Sequence, residues 1–343
     1  MGIAHLDEAP AREYDLGHLR SRWTMVGNAA GCVNVGVRRI QLPAGGWSTP
    51  AHEHGRDEEI FYVLEGRGLS WQAGNAAEIR AGDCIVYLPG RGAHTLHALE
   101  PLDVLAFGER NEDESVGFPR LGMSYAGNRL VGSMPGRIDG TSTQFVLEAQ
   151  LGPPPLPTGE FAPRPPTIVN VDDVQAVTVE RPRVVRSRRN LGRAAGSVTT
   201  GIQHVHVAPG KESAPAHCHS LEEEIFVVLA GDGVLVLVEP QPPGGSGQAG
   251  QTPGDSGEGP QTPGRPGQGE QETPVRPGHV ISRPAGTGVA HMFRAGESGL
   301  TYLAYGMRHT GDVCYYPRSN KIAFCGLGFV GRLERLDYWD GED

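Results

Sequence analysis

The chain has no long hydrophobic run. No apolar stretch approaches the roughly 20 residues that span a bilayer, and Met1 to Glu8 carries no apolar core of a secretory leader. Position 6 is Leu6, so Met1-Gly2 does not open a myristoylation pattern. These absences predict a soluble protein of the cytoplasm with no membrane partner. Cysteine is scarce and shows no pairing pattern. Cys32, Cys84, Cys218, Cys314 and Cys325 form an odd set without a C-x-x-C pair, which excludes a disulfide framework and a zinc ribbon. A basic surplus is missing as well, since the formal net charge is -10 over 343 residues. Nucleic-acid binding needs a concentrated basic face. The one Arg-rich stretch, Arg181 to Arg193, reads as a solvated loop or strand edge. Helical periodicity is almost absent, and with it any helix-turn-helix.

What remains is a succession of short strands punctuated by Gly and Pro. The most informative runs from His52 to Gly66. Residues i and i+2 of a strand share a face, so His52 and His54 present two imidazoles side by side. A strand follows from Glu59, with Glu59, Phe61 and Val63 on one face and Ile60, Tyr62 and Leu64 on the other. The pattern returns 165 residues later as His217, His219, Glu224 and Gly231. A later strand ends in a Gly/Pro turn that delivers His94, and its counterpart delivers His291. Further on, Phe118-Pro119-Arg120 matches Tyr316-Pro317-Arg318 at an offset of 198. About thirty residues are therefore inserted in the second unit.

The insertion is visible as residues 241–274, rich in Gly, Pro, Gln, Ser and Thr. It has too little apolar surface to offset its ordering entropy and is expected to be a disordered excursion from a hairpin tip. The expected organisation is an N-terminal domain over 1–150 with a mixed lead-in, a Pro-rich linker over 151–166, and a C-terminal domain over 167–343.

Three imidazoles and one carboxylate converging from neighbouring strands make a first shell for a divalent ion, with one or two positions left for substrate, water or dioxygen. The candidate ligands are His52, His54, Glu59 and His94 in the first unit, and His217, His219, Glu224 and His291 in the second. One ion per unit is expected, with iron, manganese, nickel, cobalt and zinc all open. No thiolate is expected in either set, because Cys218 lies between two ligands and points to the opposite face. Glu58 and Glu223 compete with Glu59 and Glu224, and His97 with His94. His204 and His206 form another His-x-His with no carboxylate at matched spacing and read as a polar strand face. His279, where the first unit has Asp83, reads as a turn residue.

The pattern Gly, five residues, His-x-His, four residues, Glu, six residues, Gly resembles the first motif of the cupin superfamily. Gly46, His52, His54, Glu59 and Gly66 match it in full, and Gly210, His217, His219, Glu224 and Gly231 match with one extra residue before His217. Gly82, Pro89, Gly92 and His94, and Gly278, Pro284, Gly286 and His291, resemble the second motif with altered spacing. The chain as a whole is similar to a bacterial bicupin of a little-characterised branch. The resemblance implies an all-β fold of two tandem double-stranded β-helix (jelly-roll) barrels.

Fold does not fix function. The leading expectation is a metal-dependent oxidoreductase of dioxygenase type acting on a small oxygen-rich molecule, with Glu59 or Glu224 as ligand or proton acceptor. The alternatives are a non-redox isomerase or lyase, and a small-molecule-binding cupin without catalysis. No Ser-Glu-Asn-Ser segment of the kind used by oxalate decarboxylases is present, which ranks that activity low. The resemblance also implies a homodimer, for which Leu19, Trp23 and Met25 are the candidate apolar residues.

Overall fold

The computed structural model describes residues 2–126, 129–132, 143–239, 269–334, 336 and 338–342. Two all-β barrels follow one another. The main sheet of the first runs, in spatial order, Ile168–Asn170, Asp83–Tyr87, Glu59–Glu65, Leu102–Glu109, Val35–Leu42, Leu19–Thr24 and Ala11–Leu16. A three-stranded sheet of His94–Ala98, Arg67–Gln72 and Asn75–Arg80 completes it. The second barrel repeats the plan around Glu224–Val238 and Ala290–Met307. Among the described residues no helix is long and apolar enough to cross a membrane.

The alternation read from the Glu59 strand explains how the barrels meet. Phe61 and Val63 enter the core of the first barrel. Ile60 and Tyr62 face outward, yet they are buried in a second core shared with Ile225, Val227, Leu303 and Tyr305 of the other barrel. Phe107 stacks on Tyr305 across this seam at 5.0 Å. A strand covered on both faces is apolar throughout, as Ile60 to Leu64 is. Gly66 sits at φ +88°, and a Cβ there would meet Pro101 O at 2.0 Å; Gly231 (φ +80°) meets Gly299 O in the same way. Only glycine fits this crossing.

The division expected between residues 150 and 167 is crossed in both directions. Gly2–His5 pairs with His279–Arg283 of the second barrel, and Ile168–Asn170 pairs with Asp83–Tyr87 of the first. The segment before each barrel thus supplies an edge strand to the other. The first thirty residues are mostly strand, including Ala11–Leu16 and Leu19–Thr24. The Pro-rich segment is tied to the first barrel through Trp71 Nε1, which donates to Pro155 O at 3.0 Å, and through an Arg164–Asp83 ion pair.

Two expectations are corrected. Residues 270–274 of the expected disordered excursion belong to the strand Glu270–Val275, which pairs with Glu224–Val238; residues 241–268 lie outside the described residues. Leu19 and Trp23 are not dimer surface, because they are buried in the first barrel's own core.

Glu58 and Glu223 also prove to be part of the seam. Each precedes a carboxylate of the inward face and so points away from it. Glu58, 1% exposed, accepts from Val198 N (2.5 Å), Thr200 N (3.0 Å) and Thr200 Oγ1 (2.9 Å). Glu223, fully buried, accepts from Val33 N (2.9 Å), Asn34 N (2.6 Å) and Ser282 Oγ (3.1 Å). Each barrel thereby holds the backbone where the chain of the other enters a strand, Thr200–Val207 or Val35–Leu42. Replacing either carboxylate orphans buried donors. Glu58→Ala and Glu223→Ala should each lower unfolding free energy by about 2–4 kcal/mol in urea titrations. A loss within the scatter of surface substitutions would contradict the assigned role.

Candidate metal centres

His52 and His94 face one another across an antiparallel bridge (His94 N to His52 O, 2.8 Å; His52 N to His94 O, 3.2 Å). His54 ends the two-residue strand Glu53–His54, and Glu59 opens its own strand. One donor atom from each of His52, His54, Glu59 and His94 lies within 4.8 Å of all the others. Glu59 Oε2 is at the middle: 3.0 Å from His94 Nε2, 3.6 Å from His52 Nε2 and 3.7 Å from His54 Nε2. All four residues that the sequence singled out are therefore brought together.

The second centre repeats this only in part, because three of its four candidates form one group while His219 groups instead with His217 and Cys314, and with Glu222 and Asp312. His217 and His291 are bridged as their counterparts are. Glu224 Oε2 lies 3.0 Å from His291 Nε2 and 3.5 Å from His219 Nε2, and His217, Glu224 and His291 gather within the same 4.8 Å limit. One neighbour was not anticipated, though it supplies no thiolate here. A thiol does lie at this centre: Cys314 Sγ groups with His217 and His219. Burial, first among its influences, pushes this thiol up to about 12, so it stays protonated. Cys218 is buried and turned toward Tyr315 O. His97 is outside the first centre and stacks on Trp47 at 4.7 Å. His206 hydrogen-bonds Thr301, as befits a polar strand face, and His279 opens a strand with its ring edge-on to His5.

Two carboxylates escaped the sequence reading. Glu114 Oε1 lies 3.3 Å from His54 Nδ1, and the same side chain accepts from Gly55 N, Arg56 N and Asp57 N. Asp312 Oδ2 lies 2.7 Å from His219 Nδ1, with Oδ1 accepting from Leu221 N and Glu222 N. The offset of 198 that aligns Phe118 with Tyr316 also aligns Glu114 with Asp312. A signal was therefore present, masked by the exchange of Glu for Asp. On the other pair, His52 Nδ1–H donates to Pro50 O (3.0 Å) and His217 Nδ1–H to Pro215 O (2.9 Å). A carbonyl can only accept, so these bonds fix the tautomer and leave the Nε2 lone pair facing the centre.

The donor sets fit a divalent cation. His54 Nε2 is buried with no hydrogen-bond partner and faces its centre, and Glu224 Oε2 and His291 Nε2 are buried with only each other, 3.0 Å apart, to meet. Buried polar atoms without partners call for an explanation, and a shared cation supplies one. Nitrogen and carboxylate oxygen suit manganese, iron, cobalt, nickel or zinc.

Protons stand in for that charge. Burial opposes the imidazolium of His54, but Glu114 and Glu59 outweigh it and raise His54 to about 10. In the same balance Asp312 and Glu224 raise His219 to about 9. Glu59 and Glu224 are held well below the ordinary carboxylate range, burial being overcome by the surrounding imidazoles. Burial and a neighbouring imidazole lower His94 and His217 to about 4.

The surroundings differ between the barrels. The first centre opens on a cavity of about 310 Å³, walled by Tyr14, Trp23, Phe61, Phe118 and Phe145, with Arg38 among its lining. The recess at the second centre holds about 10 Å³. Phe226, Phe293 and Tyr302 fill the second barrel's interior, with ring centroids 5.0–5.7 Å apart. Two strand positions on from each late histidine, the first barrel has Leu96 where the second has Phe293. Val104 likewise stands where the second barrel has Tyr302.

Residues 38–107 match the family model described as the cupin domain. A 66-residue stretch is 39% identical to an uncharacterised protein of Methanocaldococcus jannaschii, covering 19% of this chain and 51% of that protein. The match thus spans about half the length of that relative. Oxalate decarboxylase of Lactobacillus farciminis, solved as a formate complex, superposes with a TM-score of 0.54 at 14% identity over 89% of this chain and 86% of its own. Bacillus subtilis oxalate decarboxylase, in a structure that addresses its Mn(II) centres, gives 0.54 and 14% over 91% and 78%. At that identity the likeness is one of fold. The two tandem jelly-roll barrels give the chain the architecture of a bicupin, and residues 38–107 of the first barrel are similar to the cupin domain.

These charges set the pH profile of the metal-free protein. His54 and His219 are raised above the ordinary 6.5, so their contribution is complete below 6.5 and is lost as pH climbs through about 9 to 10. Glu59 and Glu224 are depressed, so theirs is lost as pH falls below the ordinary 4.5. His94 and His217 add to the acid limb, losing stability as pH falls from 6.5 toward about 4. Chelated protein should show its highest melting temperature near about pH 6.5. A flat profile between pH 5 and pH 10 would contradict this charge assignment.

Proposed function

We propose that this bicupin is a metal-dependent enzyme whose chemistry takes place in the first barrel. The observation that carries the reading is the cavity of about 310 Å³ against the first centre, where the second has about 10 Å³. His52, His54, Glu59 and His94 would hold one divalent ion, and His217, His219, Glu224 and His291 a second of structural use. The ion supplies Lewis acidity and, for iron or manganese, redox chemistry. The chain's own residues do the rest. Glu114 and the Pro50 carbonyl hold His54 and His52 by their Nδ1 edges, so both rings are set before substrate arrives. Glu59 is the one carboxylate among the three imidazoles and is the candidate proton acceptor as well as a ligand.

The reaction class we favour is an oxidoreductase of the dioxygenase type, supported by an open apolar chamber beside a nitrogen and oxygen donor set. A lyase is the second reading, favoured by the shared architecture with oxalate decarboxylases over most of the chain. All five cysteines are free thiols, which supports a reducing, cytoplasmic compartment.

Elemental analysis of protein purified without chelator should find two metal equivalents per chain, and one in each of His52→Ala and His217→Ala. Oxygen uptake with candidate substrates should vanish in His52→Ala and persist in His217→Ala. Turnover without oxygen consumption would select the lyase, and protein that binds no metal would end the proposal. Glu114→Ala should weaken metal at the first centre, and Asp312→Ala at the second, by roughly 10–100-fold in competition titrations.

A further inference from the structure

Two guanidiniums line the cavity and serve neither centre: Arg12, which lies over the Tyr14 ring at 4.9 Å, and Arg38. Arg38 and Arg39 are successive residues of the strand Val35–Leu42 and point to opposite faces. Arg39 is fully engaged, bonding Asp103 at 2.6–2.9 Å and Asp7 at 2.6 Å. Arg38 turns into the cavity, where its guanidinium lies over the Trp23 ring at 5.0 Å. Among the described residues no carboxylate is paired with Arg38. The anionic Glu59 shares the cavity, but its oxygens face the three imidazoles. A partly buried guanidinium with an unused fork of donors is a carboxylate receptor. The second barrel, which lacks the chamber, has Gln203 at the matched position.

The walls describe the rest of the ligand. Tyr14 and Phe145 stack at 4.2 Å, and Trp23 meets both, at 5.0 and 5.7 Å. Phe61 and Phe118 line the cavity with them. Phe145 is carried by the helix Thr143–Leu151, which Arg120 ties down through Glu148 at 2.6 Å. A chamber of this size and lining takes a molecule with a flat hydrocarbon body. A two-carbon dianion would leave the aromatic surface unsatisfied.

We infer that the first barrel binds an aromatic monocarboxylate, with Arg38 gripping the carboxylate, the Trp23 and Phe145 rings holding the body, and the far end presented to His52, His54 and Glu59. This rests on the metal-enzyme reading for its chemistry, though the binding itself does not require the metal.

The test is calorimetric titration of the metal-loaded full chain with benzoate, alongside benzyl alcohol as the uncharged counterpart and oxalate as a dianion without a body. Benzoate should bind more tightly than benzyl alcohol. Arg38→Gln should weaken benzoate by about tenfold or more and leave benzyl alcohol nearly unchanged. Arg38→Lys, which keeps the charge but loses the fork, should fall between. Equal binding of benzoate and benzyl alcohol, or a benzoate affinity indifferent to both substitutions, overturns the inference. So does oxalate binding that depends on Arg38 while benzoate does not bind. Metal content measured on the same samples separates the two claims. Arg38-dependent benzoate binding in protein that holds no metal upholds the carboxylate site and overturns the metal reading alone. Metal-replete protein with Arg38-independent binding does the reverse.

Discussion

A carboxylate buried among imidazoles is the constraint on which this molecule turns. An ionised Glu59 removed from water costs several kcal/mol unless it is compensated. Three histidines supply the compensation, with a shared proton or a cation completing it. Meeting that demand requires donors from three separated pieces of chain: the short strand at His54, the strand that begins at Glu59, and the strand that begins at His94. The barrel is the frame that makes those pieces converge. The Nδ1 contacts of His52 and His54 then orient the rings, so the geometry does not depend on the ion to create it.

The second barrel meets the same demand with the same frame, and the pair is locked by reciprocity. Each unit lends an edge strand to the other, and each lends a carboxylate, Glu58 or Glu223, to its neighbour's backbone. What separates the units is filling. Phe293 and Tyr302 occupy the interior of the second barrel, whereas Leu96 and Val104 stand at those positions in the first, which has a chamber. A duplicated scaffold can keep both donor sets while only one remains accessible to a substrate.

Much of this was legible in the sequence, because the relevant signals are local or repeated. The i, i+2 spacing of His52 and His54, the alternation after Glu59 and the glycine at 66 report directly on strand geometry, and the apolar alternation ending at Gly favoured Glu59 and Glu224 over Glu58 and Glu223, which recur equally. Other features depend on where distant segments land. Gly2–His5 reads as an unremarkable lead-in, and only the fold sets it beside residues 279–282. Glu114 and Asp312 act across about sixty and ninety residues of chain, on loops without a motif of their own. Cys314 was missed for the same reason, since it reaches the second centre from a strand beyond the matched motifs. The exchanges of Leu96 for Phe293 and of Val104 for Tyr302 distinguish the two interiors, and hydrophobic patterning treats such residues as equivalent.

Anomalous diffraction from crystals of the metal-loaded protein tests the central claim most directly. The account predicts two peaks per chain, each about 2.0–2.2 Å from imidazole nitrogens and one carboxylate oxygen, the first bordered by an open chamber and the second by packed aromatic rings. Peaks elsewhere on the surface, or imidazoles rotated away from Glu59 and Glu224, would contradict it.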